Sequence, residues 1–184
     1  MTQEETKSRF SARLLRPQKP GDDSSWAFVV LPGEASGKLP RRGRTTIDGT
    51  INGHGFRALL EPDGRKSHWL KIPDELLKAS GAGSGEVAQF EIMSVDQEPE
   101  PQVPADLAEA LQASPEAQAT WEATTTIARL DWIHWITSAK QEKTRTKRIN
   151  DACAMLVSGK KRVCCFDPSG YYSKAFSAPQ PIDE

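Results

Sequence analysis

The stretch DWIHWITSAKQEKTRTKRINDA, residues 131–152, gathers acid, base, hydroxyl and cationic side chains within two helix lengths. Asp131, His134 and Ser138 follow one another at spacings of three and four. On one helix face that is an acid–base–nucleophile set. A working triad needs the imidazole bridging its partners edge-on beside a donor-lined oxyanion site. Three side chains stacked along a helix supply neither. The better reading is a wet helix face on which the Asp131–His134 pair adds about 0.2–0.5 kcal/mol. Trp132, Trp135, Ile136 and Ala139 fall in one arc of ~100° with Ile133 at its edge, the pattern of a core seam rather than a base-stacking platform. The cations Lys140, Lys143, Arg145, Lys147 and Arg148 form no single stripe. Arg145 projects along the side of Ile149 and Leu156 with Arg148 at its edge, and a guanidinium there requires a carboxylate, a carbonyl or an aromatic face.

Four further groups could do chemistry. Arg41, Arg42 and Arg44, with Lys38 nearby, could take a phosphate or another anion, although a solvated loop is the simpler reading. His68 is followed by Trp69 on an expected strand, so one of the two faces inward; a lone strand histidine is more often satisfied structurally than a ligand. Cys164-Cys165 follows Lys160, Lys161 and Arg162, cations that could activate a thiol, whereas adjacent cysteines close only a strained ring on oxidation. Tyr171 and Tyr172 end a DPSGYY turn and could line a cleft between domains. The candidate ligand or anion-binding residues are therefore Arg41, Arg42, Arg44, His68, Arg145, Arg148, Tyr171 and Tyr172. Cys164 and Cys165 are the candidate reactive thiols. With His54 in a hairpin turn and no carboxylate at ligand spacing, no metal site is expected, and no catalytic residue or cofactor is assigned.

The elements that must position these residues change character near residue 97. Before it, FSARLL (10–15), WAFVVLP (26–32), RTTIDGTI (44–51), FRALLE (56–61), SHWLKI (67–72) and EVAQFEIMSV (86–95) read as short strands, with PQKPGDDSS as the loop after the first. Asn52-Gly53 is a hairpin signal, since both central residues of a type I′ turn need positive φ, and PDGR (62–65) is a second turn. Asp74–Ser80 reads as one helix after Pro73. Short strands and a helix in under 100 residues suggest a small barrel. Three prolines and four acids in DQEPEPQVPADL make a linker. Beyond it the period is helical: LAEALQA, a segment capped by Ser114-Pro115-Glu116, then 127–142 and 144–158, ended by Gly159. The expected organisation is a barrel domain over 8–96, a linker over 97–104, a helical domain over 105–160 and an aromatic tail over 161–184 whose SAPQPIDE end frays.

Composition narrows the classes of function. Twenty-four Lys and Arg against 25 Asp and Glu give a net charge of −1, so any attraction to nucleic acid or anionic lipid must be local. No run approaches the ~18 apolar residues of a membrane span, and MTQEETKSRF lacks the apolar core of a secretory signal. Three cysteines without a CxxC spacing fit reduced thiols in a cytoplasm.

The pattern Arg44-x-x-Ile47-x-Gly49-Thr50-Ile51-Asn52-Gly53-x-x-Phe56, followed by Leu60, Pro62, Gly64, His68 and Leu70, resembles a bacterial domain of unknown function. Arg129-x-Asp131-Trp132-x-x-Trp135-Ile136-x-x-Ala139-Lys140, then Thr144-Arg145-x-x-Arg148-Ile149, is similar to the YdeI/OmpD-associated family of bacteriocin-protection proteins. Together they span roughly residues 8–160. The first resemblance implies a double-split β-barrel of AbrB/MazE-like shape; neither implies catalytic residues. The expected fold is α+β: a small double-split β-barrel with one capping helix, then a helical domain. The leading expectation is a non-enzymatic cytoplasmic bacterial protein associated with bacteriocin or antimicrobial stress resistance, binding a small molecule or a protein partner. One alternative is a nucleic-acid-binding regulator using the barrel and its arginines; another is a thiol enzyme acting through Cys164 or Cys165.

Overall fold

A computed structural model describes residues 2–21 and 25–182, so the middle of the loop read over 17–25 and the last two residues of the tail lie outside the described residues. The chain divides into two compact units. The first joins Met1–Gln97 to Ser169–Glu184, and the second is Glu98–Pro168.

The first unit is built on six antiparallel strands: β1 (Ser8–Arg13), β2 (Trp26–Val30), β3 (Thr45–Ile51), β4 (His54–Pro62), β5 (His68–Pro73) and β6 (Val87–Ser94). Their order across the sheet is β1-β6-β3-β4-β5-β2. Just beyond β1, Leu15 exchanges backbone hydrogen bonds with Phe28 of β2, at 2.9 and 2.8 Å. That bridge links the two edge strands at one point. The hairpin between β3 and β4 turns at Asn52 (φ 49°) and Gly53 (φ 83°), as the Asn-Gly step requires. Alternation along the strands sends Ala27, Val29, Ile47, Leu60, Leu70, Ile72, Ala88, Phe90 and Ile92 into one core. The opposite side of β2 and β5 carries an aromatic cluster, in which Phe28 is buried and its ring lies 6.3 Å from Trp26 and 6.2 Å from Trp69.

Where one helix was expected in this unit, three occur among the described residues: α1 (Gln3–Thr6), α2 (Gly33–Gly37) and α3 (Asp74–Ser80). A Thr2/Glu5 capping box starts α1. Helix α2 lies in Pro32–Lys38, a stretch too short to show a period. Gly81 at φ 71° ends α3.

The second unit holds α4 (Ala105–Gln112), α5 (Pro115–Ala123), α6 (Thr126–Thr137) and α7 (Glu142–Val157) around Leu107, Leu111, Trp121, Trp132, Ile133, Ile136, Ile149, Ala152 and Leu156. The helix expected over 127–142 stops at Thr137, and α7 begins at Glu142. Arg148 of α7 reaches back to donate to the Trp135 carbonyl at 2.6 Å, filling one of the acceptors that the end of α6 leaves open. Among the described residues no helix is long and apolar enough to cross a membrane.

Candidate functional site

His68 starts β5 on the inward side, level with Leu70 and Ile72, and its side chain is fully buried. Its Nε2 lies 2.9 Å from the Gly43 carbonyl oxygen, which can only accept, so Nε2 carries the hydrogen. Nδ1 is then the acceptor, and the Ser36 hydroxyl of α2 donates to it at 2.7 Å. Burial pushes the His68 pKa below its ordinary value; the bond to Gly43 works against that, and the nearby charges of Arg42 and Arg41 work with it.

Arg42 continues the network. It donates to the Ser36 hydroxyl at 3.3 Å, to the Ser36 carbonyl at 2.6 Å, to the Leu39 carbonyl at 3.0 Å and to the Lys66 carbonyl at 3.3 Å. Burial lowers its pKa. Arg44 donates to Glu61 at 2.9 Å across β3 and β4. Of the three arginines read as an anion cluster, Arg42 and Arg41 thus lie near His68, with the donors of Arg42 turned onto the Ser36 hydroxyl and backbone carbonyls, while Arg44 is turned onto a carboxylate.

The Arg42–Lys66 bond leads into the loop between β4 and β5. Asp63 holds that loop by accepting from the backbone N–H of Arg65 at 2.7 Å and of Ser67 at 2.8 Å. Gly64 sits at φ 75°, and a Cβ there would run into the Phe176 carbonyl oxygen. Only glycine lets the tail approach so closely. The tail therefore returns to the barrel unit: Gln18 donates to the Gln180 carbonyl at 2.8 Å, and Ile182 donates to the Arg16 carbonyl at 2.9 Å. Between loop and tail lies a groove of about 550 Å³, lined by Asp63, Gly64, Arg65, Tyr171, Tyr172, Lys174, Phe176 and Ser177. Lys66 stands 4.5 Å above the Tyr171 ring, and the Tyr171 and Tyr172 rings meet edge-to-face at 5.1 Å. Tyr172 is 82% exposed. Exposed aromatic rings rimmed by Arg65 and Lys174 can bind a ligand with an apolar or planar body and an anionic group.

Six sequence-chosen residues, Arg41, Arg42, Arg44, His68, Tyr171 and Tyr172, are thus in the barrel unit, and the β4–β5 loop lies between Arg42 on one side and the tyrosines on the other. Arg65, Lys66 and Lys174 were missed. PDGR was legible as a turn, but nothing local says that a segment a hundred residues away packs against it.

Arg145, Arg148 and the cysteine pair lie in the helical unit. Arg145 grips Asp106 of α4 with two bonds, at 2.7 and 3.0 Å, which hold the Asp106 carboxyl below its usual range. Arg148 adds a contact to Ser138 Oγ at 3.3 Å and lies 5.5 Å over the Trp135 ring. The expectation of a wet His134 face is corrected, because His134 is only 2% exposed. Helix α6 is covered on that side too, by the segment after α7, whose Phe166 ring meets the imidazole edge-on at 5.3 Å. Cys164 and Cys165 are both exposed, with their sulfurs 3.1 Å apart. Among the described residues no group of three or more His, Cys, Asp or Glu could hold a metal ion.

Comparison with known families divides the chain at the same place. Residues 10–92 match a domain of unknown function (DUF1905). Residues 100–159 match the family described as bacteriocin-protection, YdeI or OmpD-associated. No curated protein matches the chain.

Proposed function

Because residues 10–92 belong to the DUF1905 family and residues 100–159 to the bacteriocin-protection, YdeI or OmpD-associated family, we propose that the protein is a non-enzymatic ligand-binding protein associated with bacteriocin tolerance, acting in the bacterial cytoplasm. Its ligand is a small anionic molecule with an apolar or planar body. The observation that carries this reading is the groove beside the β4–β5 loop, where Tyr171 and Tyr172 stand exposed between Arg65 and Lys174. Beneath it, Arg42 supports the loop by donating to the Lys66 carbonyl. The nucleic-acid alternative has less support: the donors of Arg42, Arg44, Arg145 and Arg148 bond within the fold, whereas a phosphate-tracking surface presents its cations outward.

A thermal-shift screen of anionic metabolites tests the proposal. A ligand at 100 times its dissociation constant stabilises by about 2.7 kcal/mol. We expect the shift of an authentic ligand to vanish in Arg65→Glu/Lys174→Glu and to shrink in Tyr172→Ala, all of which alter exposed side chains. A ligand whose shift survives both variants binds elsewhere and refutes the assignment of the groove.

A further inference from the structure

The two exposed thiols of the helical unit lie side by side. The chain leaves α7 through Gly159 (φ 90°), and the Lys160 N–H donates to the Met155 carbonyl at 3.0 Å. The indole N–H of Trp132 then donates to the Lys161 carbonyl at 3.3 Å. Val163 packs against the helical core, and Phe166 lies on His134. Both neighbours of the cysteine pair are thus held inward, while Cys164 and Cys165 form the outward turn between them. Cys165 takes φ 61°, which an L side chain seldom adopts, and the turn brings the two sulfurs to 3.1 Å.

We propose that Cys164 and Cys165 are a binding site for a soft, thiophilic, monosubstituted trivalent arsenical, held as a cyclic dithiolate. Soft sulfur ligands select soft centres. Coordination number narrows the class further. A tetrahedral zinc site takes three or four protein ligands, and among the described residues no third His, Cys, Asp or Glu completes such a set. A monosubstituted trivalent arsenic brings its own carbon and needs two sulfurs side by side. The reaction consumes no oxidant: R–As=O and two thiols give R–As(S–Cys)₂ and one water, with both thiol protons leaving on the departing oxygen. Arsenic remains trivalent throughout. The hydrogen bond shared with Cys164 raises the Cys165 pKa.

Intact-mass spectrometry of the full chain with phenylarsine oxide tests this. We expect one phenylarsenic unit per chain with loss of one water, resistant to excess glutathione and released by dithiothreitol. In Cys164→Ser and Cys165→Ser, glutathione should strip the adduct at concentrations about 10²-fold lower, because the second sulfur's effective concentration is gone. Cys153→Ser should behave as the parent chain, since Cys153 is half-buried on α7. Circular dichroism verifies that each variant is folded. Equal glutathione sensitivity in the parent chain and Cys164→Ser, or an adduct that persists when both Cys164 and Cys165 are serine, overturns the proposal.

Discussion

At the scale of single residues, His68 has the clearest measurable consequence. Its pKa is lowered in the folded barrel, chiefly by burial, so the folded ring stays neutral where an unfolded chain takes up a proton, below about pH 6.5. Through that window the unfolded state binds more protons. The stabilising contribution is complete above the unfolded pKa and is lost as pH falls toward the lowered folded value. We expect the urea midpoint of the barrel to drop between about pH 7 and pH 5. His68→Gln should flatten that dependence while costing about 2 kcal/mol at neutral pH, because the Ser36 hydroxyl or the Gly43 carbonyl is left without its partner. Identical pH profiles for parent and variant would remove His68 as the cause. Strand alternation had made it legible that one of His68 and Trp69 turns inward. The identity of the partners was not legible, since Ser36 and Gly43 lie in loop and short-helix sequence with no period to fix their place.

At the scale of elements, the helical unit shows how ion pairs of similar appearance differ in weight. Arg145–Asp106 ties α7 to α4 in good two-bond geometry, yet its side chains are 31% and 46% exposed, so solvent and salt screen it. Arg129 is only 15% exposed. It bonds Glu100 from two nitrogens and also donates to the carbonyls of Trp121 and Thr124, locking the segment before α4 onto the α5–α6 junction. Arg129→Ala should therefore destabilise the full chain by about 2–3 kcal/mol, and Arg145→Ala by less than about 1 kcal/mol with a visible salt dependence. Urea unfolding of both variants at low and high salt checks the ranking, and equal losses would contradict it. Helical periodicity placed Arg145 toward the seam and asked for a partner, which Asp106 supplies. Arg129 stood only as one position of the family pattern, because the carboxylate, carbonyls and hydroxyls that accept from it meet only at the folded helix junction. Periodicity also misjudged His134, since a wheel drawn for one helix does not show the cover supplied by a segment beyond the next.

At the scale of the whole molecule, the chain leaves the barrel unit after Gln97 and returns to it at Ser169. Composition marked the departure, through the prolines and acids of the linker. The return was hidden, because residues 169–182 have no apolar period and meet the barrel through backbone hydrogen bonds and a glycine-dependent contact at Gly64. Tyr171, Tyr172, Lys174 and Phe176 also lie beyond both family-matched stretches, which end at residues 92 and 159. One wall of the groove therefore belongs to a part of this chain outside either family pattern, and the shared barrel supplies only the other wall. A chain ended after Pro168 separates the two contributions. It keeps both matched stretches and loses the Gln18–Gln180 and Arg16–Ile182 bonds together with the packing of Phe176 on Gly64. We expect barrel unfolding to weaken by about 2 kcal/mol, a fall of roughly 8–16 °C in melting temperature for a domain of this size. Far-ultraviolet circular dichroism of the helical unit should be unchanged, and any ligand found with the full chain should no longer shift the melting curve. If the shortened chain retained that ligand at full affinity, the tail would be a brace alone and the binding surface would have to lie within the family-shared barrel or the helical unit.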